Sequence, residues 1–391
     1  MAEGDAPGRS GARMTEAELI EEEAGLQRWR AGWDRLAVLC GQPYCAPGWM
    51  LAWWHHAIGG TAVLRTVAVH ERGELIGIAP YQAQLGRAGL AQYRILGAGG
   101  AHRLGPLATP GREPEVAAAI ARTLAAATPR PSGFLMEGVD RASPWPDLLR
   151  GAWPGPLRPR RSVGYAMSAP TVALGGLDYE QWFASRSSNF RQQMRRKGRQ
   201  LEARGGHIRL AASAAEQAGD LEAMIRLHHL RWADRGGSGV MTPRVEAALR
   251  EAAPALLDGQ RLRLWTIEVD GEPVCVQLFV AAGGELAYWG GGFDPAWEEF
   301  QPAQQAILAA VRDAFQRGEQ KVDLGGGDQR YKWRFADRDE PVAWISLFPR
   351  NRRYPLTRAQ LLPAESRQSA RALARRLPAR WQSRLKRFLR R

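Results

Sequence analysis

The chain has 391 residues, of which 45% are hydrophobic and 24% charged, and its formal net charge is +14. That length suits two domains of roughly 150–200 residues, and that composition fills real cores, which excludes a largely disordered chain. The charge is concentrated: residues 350–391 hold 14 Lys or Arg against the single acid Glu365, so the remainder is close to neutral and a generally basic nucleic-acid-binding surface is not expected. No apolar run reaches the roughly 18–20 residues of a membrane span, and the stretch MAEGDAPGRSGARMTEAELIEEEAG lacks the apolar core of a signal peptide. Cys40, Cys45 and Cys275 are odd in number and match neither a disulfide framework nor a zinc site. The expectation is no metal and a reducing, cytoplasmic setting.

Residues 1–14 are small, polar and rich in Gly and Pro, and read as disordered. The spacing of Leu19, Ile20, Leu26, Trp29, Trp33, Leu36 and Leu39 predicts an amphipathic helix over about 15–40. A second helix fits 47–58, anchored by Trp49, Trp53 and Trp54. A hairpin follows, with 63–70 and 75–83 as its strands and Glu71-Arg72-Gly73-Glu74 as its turn. Segment 90–110 is Gly-rich with short strand-like pieces, 113–127 reads as a helix, and 133–139 as a strand.

The second half repeats this grammar. A helix over about 214–235 carries Leu221, Met224, Ile225, Leu227 and Trp232. Strand 262–269 turns at Asp270-Gly271, a strong hairpin signal, and 274–281 returns. Gly283-Gly284 turns again into a third strand, 285–292. A helix over 302–317 ends at Gly318 as its C-cap, and a strand covers 321–324. The matched order, at an offset of about 190–200 residues, reads as a duplicated domain. In that alignment Asp140 lies opposite Asp328. The expected boundaries are 15–165 for the first lobe, 166–350 for the second and 351–391 for a basic tail.

Four pieces, LHHLRWADRGG at 227–237, VDGEPVCVQLFVAAGGELAYWGGGFD at 269–294, QPAQQAILAAVRDAFQRG at 301–318 and KVDLGGGDQRYKWRF at 321–335, carry a family resemblance. Together they resemble the GNAT-superfamily acetyltransferase domain of the cellulose-biosynthesis-associated (CelD-like) branch. More distantly they are similar to the Fem-type peptidyltransferases, which use two GNAT-like lobes. The resemblance implies an α/β fold of two tandem lobes with mixed, mainly antiparallel sheets. It also implies an acyltransferase moving an acyl group, acetyl above all, from acyl-CoA to an amine or hydroxyl. The acceptor would be a small molecule or a glycan of polysaccharide or cell-envelope synthesis.

In such folds two neighbouring strands splay, a thioester lies in the gap, and a backbone N–H meets the developing oxyanion. Gly290 and Gly291, with Trp289, would line that gap. Asp323 and Asp328 could position or deprotonate an acceptor amine, and Tyr331 could protonate a leaving thiolate. Lys332 and Arg334 could hold phosphate or carboxylate. Gln277 interrupts an apolar strand, and Arg231 follows the histidine pair of its helix; both are candidate ligand contacts. The helix at 302 lacks the glycine-rich diphosphate motif of many acetyl-CoA enzymes and follows Glu298 and Glu299. Two alternatives therefore stand beside the first reading. One is a Fem-like transferase taking its aminoacyl group from charged tRNA, helped by the eight basic residues of 186–209. The other is a non-catalytic assembly or membrane-surface module. Residues 367–391 place apolar side chains on one helical face and Arg or Lys on the other, with a break at Pro378. An anionic membrane at the inner face is the expected partner.

Overall fold

Glycine placement sets the turns. A computed structural model describes residues 15–57, 62–86, 89–359 and 362. In it Arg72-Gly73, Asp270-Gly271 and Gly283-Gly284 all take positive φ, the conformation that two-residue hairpin loops require. The expected tail helix over 367–391, with its break at Pro378, lies outside the described residues.

The first lobe comprises β1 (Glu16–Ile20), α1 (Arg30–Leu39), α2 (Pro47–His56), β2 (Ala62–Leu64), β3 (Thr66–Glu71), β4 (Glu74–Ala79), β5 (Tyr81–Leu85), β6 (Ala91–Ile95), β7 (Leu107–Ala108), α3 (Glu113–Ala126), β8 (Pro131–Asp140), α4 (Trp145–Ala152) and β9 (Arg160–Met167). The second comprises β10 (Pro170–Ala173), α5 (Tyr179–Ser185), α6 (Ser188–Glu202), β11 (His207–Leu210), α7 (Ala214–Trp232), α8 (Pro243–Ala255), β12 (Leu262–Val269), β13 (Glu272–Ala282), β14 (Glu285–Phe293), α9 (Pro302–Gln316), β15 (Lys321–Asp323), α10 (Arg330–Phe335), β16 (Arg338–Asp339) and β17 (Val342–Phe348).

One expectation fails at the start of the chain. Residues 16–20 do not open a helix but form β1, paired from Glu16↔His70 to Ile20↔Thr66. A 3-10 segment, Glu23–Trp29, then separates the strand from α1. Leu26, Trp29, Trp33 and Leu36 keep the helical spacing and are buried. Leu19 and Ile20 belong to the strand, where a neighbouring ladder supplies hydrogen bonds that local periodicity does not reveal.

The second sheet runs β11-β12-β13-β14-β15-β10-β16 and is antiparallel except for the β14–β15 pair. The first lobe splits the same plan over two sheets, because β4 and β5 run on across Pro80. One sheet is β1-β3-β4-β7 and the other β2-β5-β6-β8-β17-β9. Again a single pair, β6–β8, is parallel, and α3 connects its two strands as α9 does in the second lobe. The lobes are mixed α/β, mainly antiparallel, and repeat one topology.

Their last strands are exchanged. β10 follows β9 directly and would complete the first sheet, yet it lies between β15 and β16. β17 follows β16 and would complete the second sheet, yet it lies between β8 and β9. A boundary at residue 350 therefore does not separate the lobes, since 342–348 belong to the first lobe's sheet. The stretch VAWISLF is mostly buried and paired on both edges, which is why it is apolar at every position but Ser346 rather than alternating.

One large apolar cluster reaches from α1, α2 and α3 across to α7, α8 and the inner faces of β12–β14. A second lies under α5, α6 and α9. The lobes also touch closely at the β13–β14 turn, where a Cβ at Gly283 would sit 1.9 Å from the Val38 carbonyl oxygen. Among the described residues no helix is long and apolar enough to cross a membrane, and no cluster of His, Cys, Asp or Glu could hold a metal ion.

Candidate active site

The site begins where β14 and β15 part. Their parallel ladder ends at Ala287↔Asp323. β14 runs on to Phe293 while the other strand turns away through Leu324–Gly327 into α10. Gly325 and Gly327 have φ of 75° and 121°, values that glycine alone reaches without strain. Just beyond the point where the strands part, β14 carries a bulge: Phe279 faces Tyr288 and Leu278 faces Gly290, leaving Trp289 unpaired between them. The bulge turns the Trp289 indole toward the first lobe. Its Nε1 donates to the Gly100 carbonyl at 2.8 Å, and its ring meets those of Trp49 and Trp53 edge-on at 6.3 Å.

A cavity of about 480 Å³ opens between the lobes here. The first lobe contributes Tyr44, Trp53 and the Ala98–His102 segment. The second contributes Arg244, Tyr288, Trp289, Asp323, Gly325, Gly326 and Lys332. Lys332 is buried, and its Nζ donates to the carbonyls of Gly325 at 3.1 Å and Gly326 at 3.0 Å. Burial pushes its pKa down to about 8, with the Asp323 charge working the other way.

Asp323 is itself tied across the interface. Its Oδ2 accepts from Arg103 Nε at 2.6 Å, and its Oδ1 accepts from the Gly325 N–H at 2.8 Å. Arg103 also bonds Asp140 and donates to the Glu340 carbonyl at 2.9 Å. Burial works against the guanidinium charge, but Asp323 and Asp140 more than offset it and hold it above its ordinary value. Arg103 and Asp323 are each 5% exposed at the side chain. The pair is a buried inter-lobe ion pair.

Of the residues singled out from sequence, the cavity gathers Asp323, Lys332 and Trp289. Tyr331 lies beside Tyr288, packed on the cluster under α5, α6 and α9, and burial raises its pKa. Asp328 is exposed and accepts from Trp333 Nε1 at 2.8 Å, a turn-holding contact. Arg334 points to the other side of α10, bonding Gln193 and covering the Phe190 ring at 4.9 Å, so it is not in the cavity. Gln277 is sealed in the core, where Tyr288 donates to its Oε1 at 2.7 Å and its Nε2 donates to Cys275 Sγ at 3.3 Å. Arg231 stacks on Phe293 at 4.3 Å, outside the cavity lining.

Gly290 faces open space, whereas a Cβ on Gly291 would sit 2.3 Å from the Val276 carbonyl oxygen. At Gly292 it would sit 2.4 Å from the His228 N. Gly292 lets α7 lie directly on β14, and Gly291 makes room for β13 and the Gln277 side chain. His228 fastens the contact, with Nδ1 bonded to the Gly291 carbonyl at 3.0 Å and Nε2 paired with Ser238 Oγ at 2.8 Å. The alignment of Asp140 with Asp328 is also corrected. Asp140 and Asp323 are the last residues of equivalent strands, and one arginine holds both.

Sequence reading missed Arg103, His102, Tyr44 and Arg244. Three of them come from the first lobe or its irregular Gly-rich segment, where no period marks a site. The one available signal was His102-Arg103, two adjacent basic side chains inside an otherwise small and apolar stretch.

Residues 188–333 match the acetyltransferase (GNAT) domain family. That match lies within the second lobe. Among solved structures, a crystal structure of FemX is similar over 89% of this chain and 100% of its own, with a TM-score of 0.60 at 11% identity. A conserved protein of unknown function from Bacteroides thetaiotaomicron VPI-5482 is similar over 85% of this chain and 100% of its own, with a TM-score of 0.52 at 8% identity. At such identities the likeness is one of fold: this chain has the tandem GNAT-type architecture. No curated protein matches the chain.

Proposed function

We propose that the chain is an acyltransferase that moves an acyl group from acyl-CoA, acetyl-CoA being the first choice, to an amine or hydroxyl held in the inter-lobe cavity. The observation that carries this reading is Lys332, a buried ammonium at the point where β14 and β15 part. A thioester carbonyl lying along the unpaired end of β14 becomes an oxyanion as the acceptor attacks. A cation fixed by two backbone carbonyls in a poorly solvated site stabilises that charge far more than it stabilises the neutral carbonyl. With a pKa of about 8, Lys332 is mostly charged at neutral pH and available for this role.

The donor's diphosphate has cations waiting at the entry to α9. Lys197 and Arg204 lie over the Phe300 ring at 5.9 and 5.8 Å, next to the α9 N-cap Gln301. They offset Glu298 and Glu299 and supply from α6 and its end what a glycine-rich loop supplies elsewhere. The same basic helix favours a second reading, with aminoacyl-tRNA as donor, because Arg195, Arg196 and Arg199 are exposed along it.

The test is thiol release from acetyl-CoA by the full-length protein with a panel of amines and amino sugars, beside transfer from aminoacyl-tRNA. Acceptor-dependent thiol release, reduced about 100-fold in Lys332→Ala, is the expected result. Aminoacyl transfer without thiol release would move the assignment to the second reading. Neither activity, or full activity in Lys332→Ala, would remove the proposed role.

A further inference from the structure

His102 has the geometry of a working group and the partners of none. It lines the inter-lobe cavity. Neither ring nitrogen meets a hydrogen-bond partner among the described residues. His228, by contrast, uses both of its nitrogens to fasten structure. This half-buried imidazole is held by packing rather than by hydrogen bonds to the protein, so its nitrogens are left to meet what enters the cavity.

The surroundings are shaped to admit the ring. A Cβ on Gly138, which has φ of 63°, would come within 2.6 Å of its Cδ2, and a Cβ on Gly326 within 2.9 Å of its Nδ1 and Cε1. Two glycines from different lobes thus leave the space the imidazole occupies. The Trp344 ring of β17 stands edge-on at 5.7 Å. The backbone is fixed next door: Arg103 takes a left-handed φ of 60° and its N–H donates to the Gly138 carbonyl at 2.7 Å. That conformation is uncommon for a residue with a side chain. It sends the Arg103 guanidinium into the inter-lobe ion pairs while His102 faces the cavity. Gly326, against which His102 rests, also supplies a carbonyl that holds the Lys332 ammonium.

We infer that His102, a first-lobe residue, is the general base that removes the acceptor's proton, so that the two lobes divide the chemistry between them. This rests on the acyl-transfer reading of the cavity. As the acceptor nitrogen or oxygen bonds to the acyl carbon, its proton passes to a free imidazole nitrogen and the carbonyl becomes an oxyanion beside Lys332. When the oxyanion collapses and the carbon–sulfur bond breaks, the imidazolium returns the proton to the leaving thiolate. The charged groups facing the ring are Asp323, Lys332 and Arg103, and Tyr165 lies behind Trp344 at 5.2 Å between ring centres. Burial holds the imidazole below its ordinary pKa, Asp323 opposing and Lys332 and Arg103 assisting. It is therefore a neutral base at pH 7 while its neighbour Lys332 is a cation, the separation of roles that acid–base catalysis needs.

The experiment uses p-nitrophenyl acetate, an activated acyl donor that needs no recognition of a carrier, with the full-length protein from pH 5 to 8. The expected result is release of p-nitrophenol above buffer, rising with pH through one inflection below about 6.5, the ordinary imidazole value. His102→Gln and His102→Asn should each lower the rate about 10-fold or more and abolish the inflection, with circular dichroism unchanged in at least one of them. His207→Gln, at the exposed first residue of β11, should behave as the parent. Release no faster than buffer, or an inflection that survives in both His102 variants, overturns the inference. Acetyl-CoA and aminoacyl-tRNA run on the same proteins separate the two ideas. Failure of both donors with a His102-dependent esterase rate sinks the carrier assignment and leaves the base in place.

Discussion

Replacing Lys332 by methionine should make the protein more stable at neutral pH and less active. Its ammonium is buried, its pKa is about 8 in the folded chain, and it returns to about 10.4 on unfolding. At about 1.4 kcal/mol per unit, carrying the charge into the fold costs on the order of 3 kcal/mol at pH 7. The sign follows from proton counting. Between pH 8 and 10.4 the unfolded chain binds the proton and the folded chain does not, so the parent gains stability as pH rises through that window. Methionine has similar length and no charge. It forfeits the two hydrogen bonds to Gly325 and Gly326, each worth about 1 kcal/mol. A net gain of about 1–2 kcal/mol at pH 7 remains, shrinking or reversing by pH 10.5. Urea unfolding at the two pH values reads this directly, beside acetyl-CoA turnover on the same samples. If Lys332→Met is destabilised equally at pH 7 and pH 10.5, the side chain is not a desolvated ammonium and the electrostatic argument for its role falls with it.

The Arg103–Asp323 pair makes a separate prediction. Arg103→Met leaves a buried carboxylate unpaired and should cost about 3–5 kcal/mol by calorimetry, and Arg103→Met with Asp323→Asn should recover a substantial part of that loss. A single-variant loss under about 1 kcal/mol would mean that the ion pair does not hold the lobes. At β14, Gly292→Ala should destabilise by about 1–3 kcal/mol because its Cβ would meet α7 backbone, whereas Gly290→Ala, facing open space, should melt within a degree or two of the parent.

Much of the fold was legible because its signals are local. Asp270-Gly271 and Gly283-Gly284 fixed the β12–β13–β14 meander, and Pro302 and Gly318 bracketed α9. The failures have a common cause. β1 was read as helix because Leu19 and Ile20 fit either period, and only the β3 ladder decides between them. β17 was invisible as a first-lobe strand because its partners, Met136 and Val163 opposite Ile345, lie some two hundred residues away in sequence. At the site the same division holds. Asp323 and Lys332 flank a glycine-rich turn that a reader can see, and the structure puts both in the cavity. Arg334 was grouped with Lys332 by adjacency, yet on α10 two residues' separation turns a side chain roughly 200° about the axis, from the cavity to α6. His102 and Arg103 sit in an irregular segment, where side-chain direction follows from one left-handed residue rather than from any repeat.

The exchanged strands bear on how such a cavity can admit substrate. β17 is bonded on both edges within the first sheet, and β10 on both edges within the second. Each strand is joined by a short link to an element of the opposite lobe: β10 to β9, and β17 to β16. Opening the lobes like a hinge would pull on these ladders and would also part Trp289 from Gly100 and Arg103 from Asp323. The width of the cavity is therefore set by the chain's path, and the distances across it between the candidate site residues are preorganised rather than assembled on closure. Access has to come from a smaller element. The segment between α7 and α8 fits that requirement: Gly236 and Gly237 are left-handed, Val240 is 62% exposed, and Gly239 and Val240 line the cavity. Its tether is the Ser238–His228 contact, and that histidine is bonded in turn to the Gly291 carbonyl on β14. A movement of this loop would be felt along β14, the strand proposed to receive the donor, while the two-lobe frame holding His102, Lys332 and Asp323 stays still.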